Sequence, residues 1–175
     1  MAKAQAPVRF ETVLTRSSAE SGWHYLPIDV SVADTLGFTE KSRRVVCTLN
    51  GAHAFQCALI PISGAFCIIV NKKIRDHLVI ADGHIVQVEL ARDESRYGLP
   101  MPEEMREVLN QDLEGDRLFH ALTKGKQRTM LYYVGKWKDV DRRIHCALVF
   151  IEHLKKNEGK VVWKQLGEEL KGRMQ

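Results

Sequence analysis

The sequence predicts a protein of the mainly β plus α class: a small β-barrel over residues 1–110, followed by a basic helical extension over residues 111–175 that packs on it. Three observations lead to this fold class. Segments with alternating apolar and polar residues dominate the first part, a strand–turn–helix–strand pattern occurs twice there, and the last third changes to helical periodicity. At 175 residues the chain is long enough to bury such a core without disulfide bonds.

Alternation and turn residues place the strands. Val8 to Leu14 and Ile85 to Leu90 alternate apolar and polar residues, as half-buried strands do. Arg44 to Leu49 and His53 to Ile60 flank Asn50-Gly51, a pair that tolerates the positive φ angles of a type I′ turn, so we predict a hairpin. The residues predicted to face the barrel interior are Phe10, Val46, Phe55, Leu59, Ile68, Val86 and Val88.

A repeat underlies the first part of the chain. Tyr25 to Val30 and Ile69 to Arg75 share one design: an extended piece, then Pro or Asn, two mostly polar residues, and an aliphatic residue that opens a short helix. In both copies another strand follows, which ends at Leu49 and at Leu90. Because one such unit cannot bury its own apolar face, we expect the two copies to close a barrel within a single chain.

Helical periodicity follows near residue 101. The predicted helices are Met101 to Asn110, Gly115 to Leu122, Lys126 to Lys138, a longer helix through Leu154, and Val162 to Leu170. Trp137 falls on the apolar stripe of the third helix, and Ile144 and Leu148 fall on that of the fourth. Asp141 is the predicted N-cap or first-turn acid of the fourth helix.

Cysteine usage and hydropathy indicate the compartment. Cys47, Cys57, Cys67 and Cys146 form no CxxC pair and three of them lie in apolar runs, which is typical of buried free thiols in a reducing cytosol. No stretch approaches the ~18–20 apolar residues that span a bilayer. The first residues also lack the apolar segment of ~7–15 residues that a secretion signal needs. We therefore expect a cytoplasmic location and no membrane partner.

The net charge of +4 is unevenly distributed. Residues 1–110 carry 12 Lys and Arg against 13 Asp and Glu, whereas residues 111–175 carry 14 against 9. The positive excess therefore lies in the C-terminal third. Such an asymmetry is found in proteins with an anionic partner, and equally in proteins with a solubilising face.

The first part of the chain resembles a known bacterial and archaeal family. The run WHYLPIDV…LG…RRVVCTLNGAHAFQCALIPISGAFCIIVNKKIRDHL…GHIVQVELARDE is similar to the domain of unknown function at the start of YdeI/OmpD-associated-like proteins, over roughly residues 8–110. The residues that match in order are Trp23, Pro27, Asn50-Gly51, Phe55, Pro61, Gly64, Asn71-Lys72, Arg75, Val86, Val88 and Asp93. The resemblance implies a double-split β-barrel, related in shape to AbrB-type transcription factors.

The chain also departs from this family. Phe119 to about Leu154 resembles the short helical module that often follows, and there the family tends to have Thr-Arg before the Arg-Ile of its last helix. Here Arg143-Ile144 are present, but Val140-Asp141 occupy the Thr-Arg positions. A Gly-Asp pair before the late barrel strand is altered to Asp82-Gly83-His84. The family label mentions bacteriocin protection, which implies no biochemical activity.

No combination of residues predicts catalysis, a cofactor or a metal site. His53 and Cys57 could meet a metal ion, but zinc sites need three or four convergent ligands and the other histidines are scattered. The sequence contains no GxSxG elbow. Gly125-Lys126 lacks the upstream glycine of a phosphate-binding P-loop. We expect no enzyme site, although a small-molecule-binding or enzymatic barrel stays open as an alternative.

The basic helical region is the strongest candidate for a function. Phosphate backbones are bound by Lys and Arg on one face, and exposed aromatic side chains can stack on bases. The candidate polyanion-binding residues are Lys124, Lys126, Arg128, Lys136, Lys138, Arg142 and Arg143 in the extension, with Lys72, Lys73 and Arg75 on the barrel. Phe119, Tyr132, Tyr133 and Trp137 interleave with the first group. The same residues could instead be a solvated face over a packed Trp137.

We therefore predict a non-catalytic binding or interaction module. The main alternative is a nucleic-acid-binding protein that uses the helical extension, with an affinity that is weak and sensitive to salt. The partner is an unidentified protein or a nucleic acid. A monomer satisfies the prediction, and any dimer would form through outer surfaces. A deep cavity with a few polar groups would favour small-molecule binding.

Overall fold

The computed structural model describes residues 6–20, 22–38 and 43–172. Its contacts divide the chain into two compact units, Met1–Glu94 and Ser95–Gln175. The first contains β-strands and two short helices, and the second is helical. The described residues thus form a mixed α+β protein with two antiparallel sheets and seven helices.

The strands of the first unit form two four-stranded sheets. They are β1 (Val8–Val13), β2 (Thr15–Arg16), β3 (His24–Ile28), β4 (Arg44–Leu49), β5 (His53–Ala58), β6 (Ile60–Ile62), β7 (Ala65–Ile69) and β8 (Ile85–Arg92), with helices α1 (Val30–Thr35) and α2 (Lys72–Leu78). The first sheet has the order β1-β8-β4-β5 and the second β2-β3-β7-β6, and every pairing is antiparallel. Among the described residues the backbone pairing gives two sheets and not one closed barrel.

Both copies of the sequence repeat form a strand–helix–strand unit, β3–α1–β4 and β7–α2–β8. Equivalent strands pair with each other: β3 pairs with β7 in one sheet, and β4 pairs with β8 in the other. The helices also begin alike, because the side chains of Asp29 and Asn71 each accept a hydrogen bond from a first-turn N–H. The two copies therefore interlock, and each contributes one strand to each sheet.

The predicted Asn50-Gly51 hairpin is present between β4 and β5. Asn50 and Gly51 have φ angles of 51° and 62°, as a type I′ turn requires. The Asn50 side chain also accepts a hydrogen bond of 2.9 Å from the N–H of Gln87 on β8. A second turn of the same kind, at Ser63-Gly64, joins β6 to β7.

The core of the first unit lies between the two sheets, and most of the predicted interior residues reach it. Leu59, Ile68, Val86 and Val88 are buried, and Phe10 and Phe55 are partly buried against the same cluster. The prediction for Val46 was wrong. Its neighbours Val45, Cys47 and Leu49 are the residues of β4 that face the core. Val46 shares its face of β4 with Arg44 and Thr48, whereas Val45, Cys47 and Leu49 form an uninterrupted apolar face, which is the one that turns to the core.

The second unit is built around one long helix. Its helices are α3 (Glu103–Gln111), α4 (Leu113–Ala121), α5 (Lys124–Gly135), α6 (Val140–Lys156) and α7 (Trp163–Gly172). The other four all pack against α6. Phe119, Met130, Phe150 and Leu154 are fully or almost fully buried in this core. None of the described helices is long and apolar enough to cross a membrane.

Close packing of α4 on α6 requires a glycine. A Cβ built on Gly115 would lie 2.3 Å from Cγ2 of Ile151, which is shorter than any van der Waals contact allows. Gly115 is buried, and its N–H is accepted by the side chain of Asp112, the N-cap of α4, at 2.7 Å. The cap and the missing side chain together let α4 lie directly on α6.

Two expectations for α5 and α6 need correction. The third predicted helix extended to Lys138, but α5 ends at Gly135, so Trp137 lies in the link to α6. Ile144 and Leu148, predicted on the buried stripe, are 40% and 46% exposed. The buried face of α6 is set by the helices around it, and apolar spacing alone does not show on which side they pack. Asp141 is a first-turn acid, as predicted, while Asp139 is the N-cap.

A candidate ligand-binding cavity in the helical unit

A cavity of about 370 Å³ lies among the end of α5, the first half of α6, and α7. Its lining is mostly apolar and aromatic, from Tyr133, Trp137, Cys146, Phe150, Trp163, Leu166, Gly167 and Leu170. Four basic side chains complete it: Lys136, Arg142, His145 and Lys171. Asp and Glu are absent from the described lining.

Buried His153 fixes the wall that α7 provides. Its Nε2 accepts a hydrogen bond of 3.1 Å from the N–H of Val162, just before α7, so Nδ1 carries the proton and donates to Glu169 at 2.8 Å. Burial alone would raise the pKa of the Glu169 carboxyl. Hydrogen bonds from Gln165 and His153 outweigh burial, and they hold that pKa below its ordinary value. Both ends of the His153 ring therefore tie α7 to α6.

Two of the cations at the cavity lie over aromatic rings. The Lys136 Nζ is 4.2 Å from the centre of the Tyr133 ring and 4.8 Å from that of Trp137. The Arg142 Cζ is 5.2 Å from the Trp137 ring. Tyr133 in turn packs edge-on against Phe150. Cation–π contacts of this kind hold charged groups beside an apolar surface without a carboxylate partner.

His145 and Cys146 bring polar atoms to the same wall. The His145 Nε2 is buried and has no hydrogen-bond partner within the described part of the chain. Burial raises the pKa of the Cys146 thiol to about 11, with Lys136 opposing the shift, so Cys146 is protonated at neutral pH. An unsatisfied buried nitrogen of this kind costs free energy.

Gly167 gives the cavity its width on the α7 side. A Cβ built at this position would meet no atom within 4 Å. Glycine in a helix interior is unfavourable by about 1 kcal/mol relative to alanine. The open space at Gly167 is therefore a position at which a larger side chain would enter the cavity.

The predicted basic residues of the helical segment do not form one cluster. Lys136 and Arg142 lie together at the cavity, and Lys138 is exposed in the same link. Lys124, Lys126 and Arg128 lie on the first turns of α5, a helix of 12 residues and so about 18 Å long, and Lys124 contacts the Tyr97 ring instead.

Arg143 does not line the cavity and contacts Glu104. Its Nε lies 3.1 Å from a Glu104 oxygen, and both side chains are largely buried. This ion pair joins α6 to α3, which makes Arg143 a structural residue of the helical core.

The basic residues predicted on the first unit, Lys72, Lys73 and Arg75, all lie on α2. Lys72 forms an ion pair of 2.6 Å with Asp76, one helical turn away. Lys73 is exposed, and Arg75 is partly buried. These residues belong to the first unit, and the cavity belongs entirely to the second.

The structure does not bring His53 and Cys57 together. The His53 ring lies 5.3 Å from His77 on α2, between ring centres. Cys57 is hydrogen-bonded to Cys47. This hydrogen bond, together with burial, raises the pKa of the Cys47 thiol. Across the described ranges no group of three or more His, Cys, Asp and Glu residues is arranged to hold a metal ion. All four cysteines are free thiols, and Cys57 is the least buried.

Sequence reasoning missed much of the cavity lining. The spacing of Trp163, Leu166 and Leu170 predicts an apolar stripe on the last helix, but nothing in that spacing shows that part of the stripe borders a cavity. His145 and Lys171 stood out by no motif. The sequence signal that could have indicated the cavity is the closeness of Trp137 to Lys136 and Arg142 at the junction of two helices.

Together, the fold and this cavity define a class: a two-unit α+β protein whose helical unit has a cavity of the size and lining typical of ligand-binding proteins. Residues 10–90 match the family model described as a domain of unknown function, DUF1905. The matched residues all lie in the first unit. A search of curated proteins found no match to the chain.

Proposed function

We propose that the protein is a non-catalytic binding module that holds a small organic molecule in the cavity of its helical unit. The observation that carries the proposal is the aromatic lining, from Tyr133, Trp137, Phe150 and Trp163. The volume of about 370 Å³ falls within the range of ~300–1,000 Å³ of small-molecule sites. Apolar walls supply binding free energy, and a few polar groups supply orientation.

A neutral naphthyl probe, N-phenyl-1-naphthylamine, tests whether the cavity accepts a ligand. We expect its fluorescence to rise on binding to the wild type. Gly167→Leu should weaken that binding at least tenfold, because the new side chain enters the cavity. The matched control is Gly125→Leu on α5, where a Cβ also meets nothing within 4 Å and which does not line the cavity.

A second variant guards against misfolding of Gly167→Leu. Trp163→Ala removes part of the wall from a side chain that is already 47% exposed, and it should also weaken the probe. Circular dichroism would show that both variants are folded. Equal probe affinity in the wild type and in both cavity variants would contradict the proposal.

Nucleic-acid binding is the second candidate. It is favoured by the exposed cations Lys136 and Lys138 of the α5–α6 link and Arg142 at the start of α6, with the exposed ring of Tyr133 next to Lys136. Titration with single- and double-stranded oligonucleotides at two salt concentrations would test it, since phosphate contacts weaken steeply with salt. We expect Lys138→Gln to weaken such binding. Affinity that ignores salt, or that survives in a Lys136→Gln/Lys138→Gln/Arg142→Gln variant, would exclude this surface.

We also propose that the first unit is a β-barrel of the double-split type, closed within one chain. Two features support closure. β1 continues into β2 through buried Leu14, and β5 continues into β6 through buried Leu59, so the chain passes from sheet to sheet at both places. The Thr12 hydroxyl also donates a hydrogen bond of 3.0 Å to the Pro27 carbonyl, from β1 to β3. Membership in the YdeI/OmpD-associated-like group, and a cytoplasmic location for the free thiols, complete this proposal.

Mixed isotope labelling tests closure within one chain. In a sample made from labelled and unlabelled protein, isotope-filtered nuclear Overhauser effects report only contacts between chains. We expect contacts between β3 and β7 in the uniformly labelled protein and their absence from the filtered spectrum. Filtered contacts between these strands would show that two chains share the sheets.

A further inference from the structure

We propose that the ligand of the cavity is an apolar monocarboxylate, held with its carboxylate at Arg142 and Lys136 and its apolar body against the aromatic wall. This inference rests on the proposed small-molecule function and specifies the chemical class of its ligand. Two observations support it: the charge of the lining, and the position of that charge beside Trp137.

The charge of the lining is one-sided. Lys136, Arg142 and Lys171 all border the cavity, and no carboxylate of the described residues lies within 4 Å of any of them. Elsewhere in the same unit cations are paired: Arg143 with Glu104, and Lys155 with Asp112. Three like charges around one cavity repel each other, and an anion would relieve that repulsion.

The position of the charge favours a single anionic group on an apolar molecule. Lys136 and Arg142 lie 4.8 Å and 5.2 Å from the centre of the Trp137 ring, so both charges are close to this one part of the cavity lining. Phe150, Leu166 and Leu170 line it elsewhere. A ligand that fills this space has a carboxylate at one end and a hydrocarbon body at the other. The planar Arg142 guanidinium can bind both oxygens of a carboxylate at once, which makes this contact stronger than one with a neutral amide.

A carboxylate also fits the cations of the lining better than its primary amide does, because both of its oxygens accept hydrogen bonds. A primary amide of the same shape has only one oxygen and adds two donors, which would face the cations. Discrimination between acid and amide therefore reports directly on the inferred recognition.

Matched acid and amide pairs provide the experiment. Naphthalene-2-carboxylate, cinnamate and decanoate, each with its primary amide, would be titrated by calorimetry or by NMR shifts of α6 and α7. For the pair that fits best, we expect the wild type to bind the acid at least tenfold more tightly than the amide. Arg142→Gln should remove most of that preference, with amide affinity unchanged within about threefold.

Lys138→Gln is the matched control, because Lys138 is an exposed cation in the same link and does not line the cavity. It should leave both affinities and their ratio unchanged. Equal binding of acid and amide by the wild type would overturn the carboxylate inference and leave the cavity function in place. Failure of every acid and every amide to bind, together with failure of the neutral naphthyl probe, would overturn the proposed function itself. A preference for the acid that persists in Arg142→Gln and in Lys136→Gln would also overturn the inferred recognition.

Discussion

Some basic residues of the two units have different kinds of partner. On the first unit Arg9 pairs with Glu89 across neighbouring strands, and Lys72 pairs with Asp76 along α2. On the second unit Lys136 and Arg142 have aromatic rings as neighbours where a carboxylate would be expected. Exposed ion pairs contribute little to stability, and they also leave little charge for a partner. The unpaired cations at the cavity support the proposed binding site in the helical unit.

The cores differ in a related way. The first unit distributes its buried residues over two sheets, and large aromatic side chains such as Phe55 are only partly buried. The second unit concentrates buried aromatic residues, Phe119 and Phe150, around one helix. The cavity lies beside the first half of that helix, α6. The same core fixes the positions of residues that border the cavity, such as Phe150. Rigid elements of this kind hold a binding site more precisely than loops do.

The largest expected effect is on the helical core. Phe119→Ala should lower the free energy of unfolding by about 3–5 kcal/mol, because Phe119 is fully buried and no neighbour can fill the space. Phe55→Ala on the first unit should cost less, about 1–3 kcal/mol, since Phe55 is only partly buried. Urea unfolding followed by tryptophan fluorescence would measure both.

Tyr132→Ala is the control for this comparison. Because Tyr132 is 61% exposed, this substitution should change the free energy of unfolding by no more than about 0.5 kcal/mol. Equal losses for Phe119→Ala and Phe55→Ala would remove the contrast between the two cores.

An intermediate effect is expected at His153. His153→Leu leaves the Val162 N–H and the Glu169 carboxylate without their partner, and it should cost about 2–3 kcal/mol. Amide hydrogen exchange should speed up in α6 and α7 first, and the naphthyl probe should bind less tightly because the α7 wall loosens. Glu169→Gln keeps an acceptor for the His153 Nδ1–H and should cost less. An unchanged stability of His153→Leu would show that the ring does not fix α7.

The smallest expected effect is on the stability of the fold at acidic pH. A hydrogen bond from Lys155, with the Gly115 N–H, holds the pKa of Asp112 below its ordinary value of 3.8. The folded state therefore binds this proton less readily than the unfolded state does. The resulting stability is complete above the ordinary pKa and is lost as the pH falls through the lower folded pKa. The lowered pKa of Glu169, whose ordinary value is 4.5, acts in the same direction.

Thermal melts between pH 7 and pH 2 would test this dependence. Asp112→Asn should show a shallower loss of stability with acid than the wild type does. The difference should be small, because both the Asp112 and Lys155 side chains are a quarter or more exposed to solvent. A wild type and an Asp112→Asn variant that lose stability in parallel would show that this ion pair contributes nothing.

Local chemistry in the sequence determined most elements of the first unit. Asn50-Gly51 admits the positive φ angles of its turn whatever surrounds it. The helix starts at Asp29 and Asn71 use side chains that reach their own first turns. Alternation located the buried face of β8, where Gln87 and Glu89 separate Val86, Val88 and Leu90. These features act over a few residues, and a sequence shows them directly.

Only the tertiary structure decided the rest. The order of strands in the two sheets depends on pairings between distant segments, such as that of β4 with β8, and the exposure of Ile144 depends on which helices pack around α6. The candidate site is more distant still, because Lys136 and Lys171 are 35 positions apart in the chain and meet at one cavity only when α7 returns along α6. Whether a cation pairs with an acid, as Arg143 does with Glu104, or stays free beside a cavity, as Arg142 does, depends on contacts between helices that no local pattern contains. Adjacent residues with the same charge thus acquired opposite roles, because α6 points one toward α3 and the other toward α7.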